Sequence, residues 1–200
     1  MSKHFLTARA PIILALLPLA ACTTATAPVE VTRFHVGDPT HSGTIAVEEM
    51  MGNPDVGLEF ATYANAVTGE LQRVGFRPAG ADSAYVARIG FRRSFRPTGT
   101  ARDGRPVSVG VGGGVGSGGY SGLGVGIGIN LSGRPKDIVT TELAVQIRRR
   151  GDATAIWEGR AMSEAKEGSP ASQPGAAATR LAAALLQGYP GESGRSIRVK

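Results

Sequence analysis

From Val29 to His35 the chain alternates, with Val29, Val31 and His35 in one phase and Glu30 and Thr32 in the other, and a period of two predicts a strand. Residues 42–48 predict a second one. The pattern then changes at Asn53-Pro54-Asp55. Asn caps a helix, Pro suits its first position, and Asp complements the positive end of its dipole. Phe60, Ala64, Val67, Leu71 and Val74 follow at steps of four and three, one apolar stripe, and Gly75 closes it, so the spacing predicts a helix over 54–74. Period two returns over 84–95, with Tyr85, Ala87, Ile89, Phe91 and Phe95 against Arg88, Arg92 and Ser94. Val139, Leu143, Val145 and Ile147 mark another strand. Residues 154–162, with Ile156 and Trp157, mark its partner across the turn Arg150-Gly151-Asp152. A last helix is predicted from Pro174 to Gln187, closed by Gly188, with Pro190 preventing its return. Leu181 and Leu185 share one face, and Ala177, Ala178, Ala182 and Ala184 permit close approach to a sheet. Residues 193–200 read as a loose basic tail, with Ser196-Ile197-Arg198-Val199 able to add an edge strand.

Residues 107–131 stand apart. Eleven of the nineteen residues from Gly110 to Gly128 are glycine, and the whole run carries no charge. Odd positions hold Val107, Val109, Val111, Val115, Leu123, Val125, Ile127, Ile129 and Leu131, and even positions are glycine almost throughout. On a helix these apolar residues would scatter over every face, whereas a strand collects them on one. The run predicts a long hairpin turning within residues 116–122. Together the elements predict an α+β fold: a mostly antiparallel sheet of about five to seven strands with two helices packed on one face.

The N-terminus carries an address. Lys3, His4 and Arg9 precede an apolar run from Ala10 to Ala21, the length of a secretory signal's apolar segment and too short to span a bilayer as a helix. It ends Leu19-Ala20-Ala21-Cys22, and Cys22 is the only cysteine. This resembles the lipobox of bacterial lipoproteins. The resemblance implies cleavage before Cys22 after recognition of Leu19, Ala20 and Ala21, with fatty acyl chains attached at Cys22. A thiolate is the side chain nucleophilic enough to form the thioether. Several chains hold a protein stably at a membrane. Thr23 stands where lipoproteins retained at the inner membrane often carry Asp, which favours the outer membrane. The expected organisation is a signal peptide over 1–21, a tether over 22–28, one α+β domain over 29–190 and a basic tail over 191–200.

Composition narrows the function. The chain has 22 Lys and Arg against 16 Asp and Glu, a formal charge of +6 that falls by two when Lys3 and Arg9 are removed. Its arginines are spread over several segments, no nucleic-acid motif appears, and an exported chain is not expected to meet nucleic acid. Beyond Cys22 there is no thiol for disulfides or redox chemistry. Gly114, Gly116 and Gly119 match a dinucleotide fingerprint on paper, without the helix and acidic residue that give it meaning. Spacing-four glycines such as Gly112 and Gly116 suggest membrane helix pairing only on a helix, which the period of two opposes. His35 and His41 are too few for a zinc site. Glu48 and Glu49 are adjacent and so point to opposite faces of a strand. No nucleophile motif precedes a helix. No catalytic, metal or cofactor-binding residue is assigned, and no cofactor is expected.

The order of parts also resembles a family. The helix ends Leu71-Gln72-Arg73-Val74-Gly75-Phe76 and is followed by Ala81-Asp82-Ser83-Ala84-Tyr85. The glycine run leads to Glu142-Leu143-Ala144-Val145-Gln146-Ile147, then Ile156-Trp157-Glu158-Gly159-Arg160-Ala161, then Gln187-Gly188-Tyr189-Pro190. Over residues 29–190 this is similar to the bacterial lipoproteins of domain-of-unknown-function family 4136 (DUF4136). Those often carry a second proline after Tyr-Pro, where Gly191 stands here. The resemblance implies a periplasm-facing α+β envelope lipoprotein and no catalytic residues. Three functions are weighed: a non-enzymatic module binding another envelope protein, a small-ligand or lipid-binding module with an apolar pocket between helices and sheet, and a hydrolase using His35 or His41. The first is the expectation.

Overall fold

The computed structural model describes residues 27–52, 57–98, 107–115, 121–129, 136–152 and 154–200. Its main sheet has seven strands. In chain order these are β1 (Val29–His35), β2 (Gly43–Glu49), β3 (Phe76–Pro78), β4 (Tyr85–Arg96), then β7 (Ile138–Arg149), β8 (Ala155–Lys166) and β9 (Ser196–Val199), after the separate hairpin of β5 (Val107–Val115) and β6 (Ser121–Ile129). The spatial order is β3-β2-β4-β7-β8-β1-β9. Helices α1 (Leu58–Arg73) and α2 (Pro174–Leu186) complete the fold.

The sheet is mostly antiparallel, as the alternation implies, but β2 runs parallel to both β3 and β4. Helix α1 causes this. It carries the chain from the end of β2 back to the start of β3, and a crossover of that length returns the chain in the same direction. The three residues of β3 are too short for any period to mark. Of the two readings of the tail, the edge strand holds: β9 pairs with β1.

Both helices lie on one face of the sheet. Val31, Ile45, Ala87, Ile89, Leu143, Val145, Ile147, Trp157 and Ala161 point towards them, against Tyr63, Val67 and Leu71 of α1 and Ala178, Leu181 and Leu185 of α2. Tyr63, absent from the predicted stripe, is fully buried and stacks on Phe91 at 4.5 Å, while Phe60 is only partly covered. The predicted cap at Asn53 lies outside the described residues; the described helix begins at Leu58, after Gly57. Phe95 has the inward phase but is 56% exposed, so phase alone did not bury it.

Trp-x-Gly has a packing reason. A Cβ on Gly159 would sit 2.5 Å from the Trp157 ring and 2.7 Å from Leu185, so glycine lets the indole lie flat beneath α2. Trp157 then joins Tyr189 at 5.3 Å, and Tyr189 meets Phe76 at 6.0 Å and His41 at 5.4 Å. The Trp157 indole N–H donates to the Pro190 carbonyl at 2.9 Å, which fixes the closing Tyr-Pro segment to the core.

Candidate interaction surface

Among the described residues the helices cover one side of the sheet and leave the other side open. Strand register arranges its side chains in rows. Arg92, Glu142, Met162, Glu30 and Arg198 form one row across β4, β7, β8, β1 and β9. The next row is Gly90, Ala144, Arg160, Thr32 and Ser196. The small pair Gly90 and Ala144 leaves a depression in the middle of β4 and β7. The segment Met50-Met51-Gly52, which follows β2, borders it, with Arg92, Glu142 and Arg160 on the other sides. Its volume is about 260 Å3. That is below the ~300–1,000 Å3 of small-molecule pockets, and it opens to solvent rather than lying between helices and sheet.

The depression mixes both signs of charge with apolar surface. Met51 and Phe34, both well exposed, flank the open face, Phe34 on β1 opposite Glu158. Elsewhere on this face three polar pairs form. Arg96 bonds Glu164 at 3.1 Å, Gln146 donates to Glu158 at 2.6 Å, and Arg150 reaches Glu48 at 3.1 Å. Exposed pairs of this kind hold side chains in place more than they stabilise the fold.

A second polar group lies on the helix side, at the end of the core from which the hairpin departs. Arg93 Nη1 is 3.5 Å from Glu59, and its Nη2 donates to the Ser172 carbonyl at 2.9 Å. Among the described residues the Tyr63 hydroxyl and Arg93 Nε are buried there without a hydrogen-bond partner, as is Ser169 Oγ. Burial, reinforced by the Glu59 charge and opposed by Arg93, pushes the Tyr63 phenol up to about 12.

The residues singled out by sequence fall as follows. Leu19, Ala20, Ala21 and Cys22 lie outside the described residues. Both ring nitrogens of His35 face carbonyl oxygens, Gly37 at 2.8 Å and Gly191 at 3.0 Å, which ties β1 to the C-terminal segment. His41 is 3.6 Å from Asp38 at the surface. Glu48 and Glu49 do diverge to opposite faces, and Arg150-Gly151-Asp152 forms the β7–β8 turn. Trp157 is core. Among the described residues no group of three or more His, Cys, Asp or Glu is placed to hold a metal ion, and no helix is long and apolar enough to cross a membrane.

Sequence reasoning missed Arg33 and the depression. Arg33 shares the phase of Val29 and Val31, and it is only 4% exposed. That phase was the available signal. The depression had none, because its walls come from separate strands.

No family model matches the chain. It is 36% identical to an uncharacterised protein of Zymomonas mobilis, over 93% of this chain and 84% of the relative. Among solved structures, the PelC dodecamer from Paraburkholderia phytofirmans is similar at a TM-score of 0.44 and 12% identity, covering 79% of this chain and 94% of PelC. A PDZ domain protein from Parabacteroides distasonis is similar at a TM-score of 0.47 and 10% identity, covering 86% of this chain and 39% of that one.

Proposed function

The chain belongs to the same family as the Zymomonas mobilis protein, and from that premise we propose that it is a lipid-anchored envelope lipoprotein that acts by binding another envelope protein. The anchor is Cys22, acylated after cleavage behind Leu19-Ala20-Ala21, and the folded domain faces the periplasm from the outer membrane. Membership of the DUF4136 lipoproteins is part of this proposal and rests on the quoted motifs.

The open face of the seven-stranded sheet carries the reading. Among the described residues helices occupy only the opposite face, and the small residues Gly90 and Ala144 make room at its centre. Arg92, Arg160 and Glu142 around that room offer paired donors and acceptors to a polypeptide.

In-cell cross-linking of the tagged protein, with partners identified by mass spectrometry, tests both halves. A Cys22→Ser strain should lose membrane retention and the dominant partner together. An Arg160→Glu strain should keep the membrane location and lose the partner. Retention of Cys22→Ser at the membrane would overturn the anchor. A partner indifferent to Arg160→Glu would move the binding surface elsewhere.

A further inference from the structure

The hairpin is used by nothing described above. Its register pairs Val107 with Ile129, Val109 with Ile127, Val111 with Val125 and Gly113 with Leu123. Between these rungs Gly110, Gly112 and Gly114 meet Gly126, Gly124 and Gly122. Cross-strand partners occupy the same face and successive positions opposite faces. One face of the ribbon therefore collects the apolar positions and the other collects glycine, with Ser108 at one end. No charged residue occurs from Val107 to Gly133. Among the described residues β5 and β6 pair only with each other, so the outer edge of each strand presents unpaired N–H and C=O groups.

An isolated two-stranded hairpin is marginal in water. The dimensions of this one match a different solvent. Each strand has nine residues. At ~3.3 Å per residue that is ~30 Å of strand, or ~23 Å along the normal at a tilt of ~40°, close to the ~25 Å apolar band of membrane barrels. Hydrocarbon does not tolerate an open strand edge, so such a ribbon enters a bilayer only with its edges paired. The edges available in register and composition are those of identical chains, β5 of one beside β6 of the next.

We propose that the hairpins of several copies of this chain pair edge to edge and close into a β-barrel that crosses a bilayer, apolar positions towards lipid and glycine positions towards the lumen. Two strands per copy and a minimum of about eight strands require about four copies or more. The placement of the hairpin in the chain fits. It leaves the sheet between Arg96 and Ile138, which face each other at the ends of β4 and β7. Arg102, Asp103 and Arg105 precede it and Arg134, Lys136 and Asp137 follow it, charges suited to the headgroup level on the side of the domain. The sequence between the two strands, residues 116–120, carries no charge to oppose transfer across a bilayer, and its Tyr120 is a residue type suited to an interface.

The test uses the full chain with phosphatidylethanolamine–phosphatidylglycerol vesicles holding a self-quenched dye, and planar bilayers of the same lipids. Dye release should rise steeply with protein concentration, and a cross-linked ladder should reach four copies or more. Val111→Asp places a charge among the lipid-side positions at mid-strand, and release should fall at least about tenfold. Gly112→Asp places the same charge one position further, among the lumen-side positions. Release should stay within about threefold of the parent, with conductance turned cation-selective. Both sites lie outside the seven-stranded sheet, so both variants should unfold at the parent temperature, which separates loss of insertion from loss of folding. No release at any protein-to-lipid ratio, release without a ladder, or equal losses from the two variants would overturn the proposal.

Discussion

The Nε of Arg33 donates to the main-chain carbonyl of Leu185 at 2.9 Å, in the last turn of α2. Its Nη2 donates to the carbonyls of Ala184 and Gln187, also at 2.9 Å. A single buried guanidinium thus satisfies three acceptors that the helix end leaves open, and its positive charge meets the negative end of the helix dipole. Burial pulls the guanidinium below its ordinary pKa. Arg33→Met removes donor and charge together and strands three carbonyls. It should cost about 3 kcal/mol in urea unfolding. Arg33→Lys should recover less than half, because a point ammonium cannot replace a planar fork.

Gly191 depends on the same guanidinium. It follows Pro190 with φ +78° and has Arg33 Nη1 in the space of a Cβ. Proline fixes φ near −65° and cannot adopt this backbone. Gly191→Pro should therefore destabilise by about 3 kcal/mol or more, and Gly191→Ala by about 1–3 kcal/mol. Thermal unfolding followed by circular dichroism checks the order.

Gly159→Ala should be felt at Trp157. The added methyl displaces either the indole or Leu185, an overpacking cost of about 1–3 kcal/mol. Tryptophan fluorescence should shift to the red as the ring loses its buried site, and an unshifted spectrum would mean that Leu185 alone gave way.

Tyr63 and Tyr189 predict behaviour at high pH. Burial raises both phenols above their ordinary pKa, Tyr63 to about 12, with the Glu59 charge adding for Tyr63 and Tyr85 and Asp38 adding for Tyr189. A raised folded pKa means that the fold favours the neutral phenol. The stability it contributes is complete below about pH 10, where the unfolded phenol titrates, and is lost as pH rises through the folded value. Chemical denaturation across pH 9–12 should show this decline, and the double variant Tyr63→Phe, Tyr189→Phe should flatten it.

At neutral pH Tyr63→Phe alone should be neutral or stabilising by about 1 kcal/mol, because the buried hydroxyl has no hydrogen-bond partner among the described residues to lose. Tyr189→Phe should be destabilising by about 1 kcal/mol, because its hydroxyl donates to the Thr40 carbonyl at 3.2 Å.

Much of the architecture was legible because it rests on local periods. β1 has the predicted bounds, the hairpin register follows the odd–even phase, and α2 ends at Leu186, just before Gly188 at φ +67°. The misses share one cause. β3 is three residues long, the parallel pairing of β2 depends on where α1 returns the chain, and Phe95 keeps an inward phase while staying exposed.

Local residue spacing sets which segments alternate with period two, where the two helices lie and close, and where an uncharged apolar–glycine ribbon interrupts the domain. Each follows from residue type and spacing within a few turns of chain. The strand order, the burial of Arg33 under the end of α2, and the depression at Gly90 and Ala144 arise from packing between distant segments. These depend on contacts between residues far apart in the chain, where register and helix placement jointly select neighbours that no local period encodes.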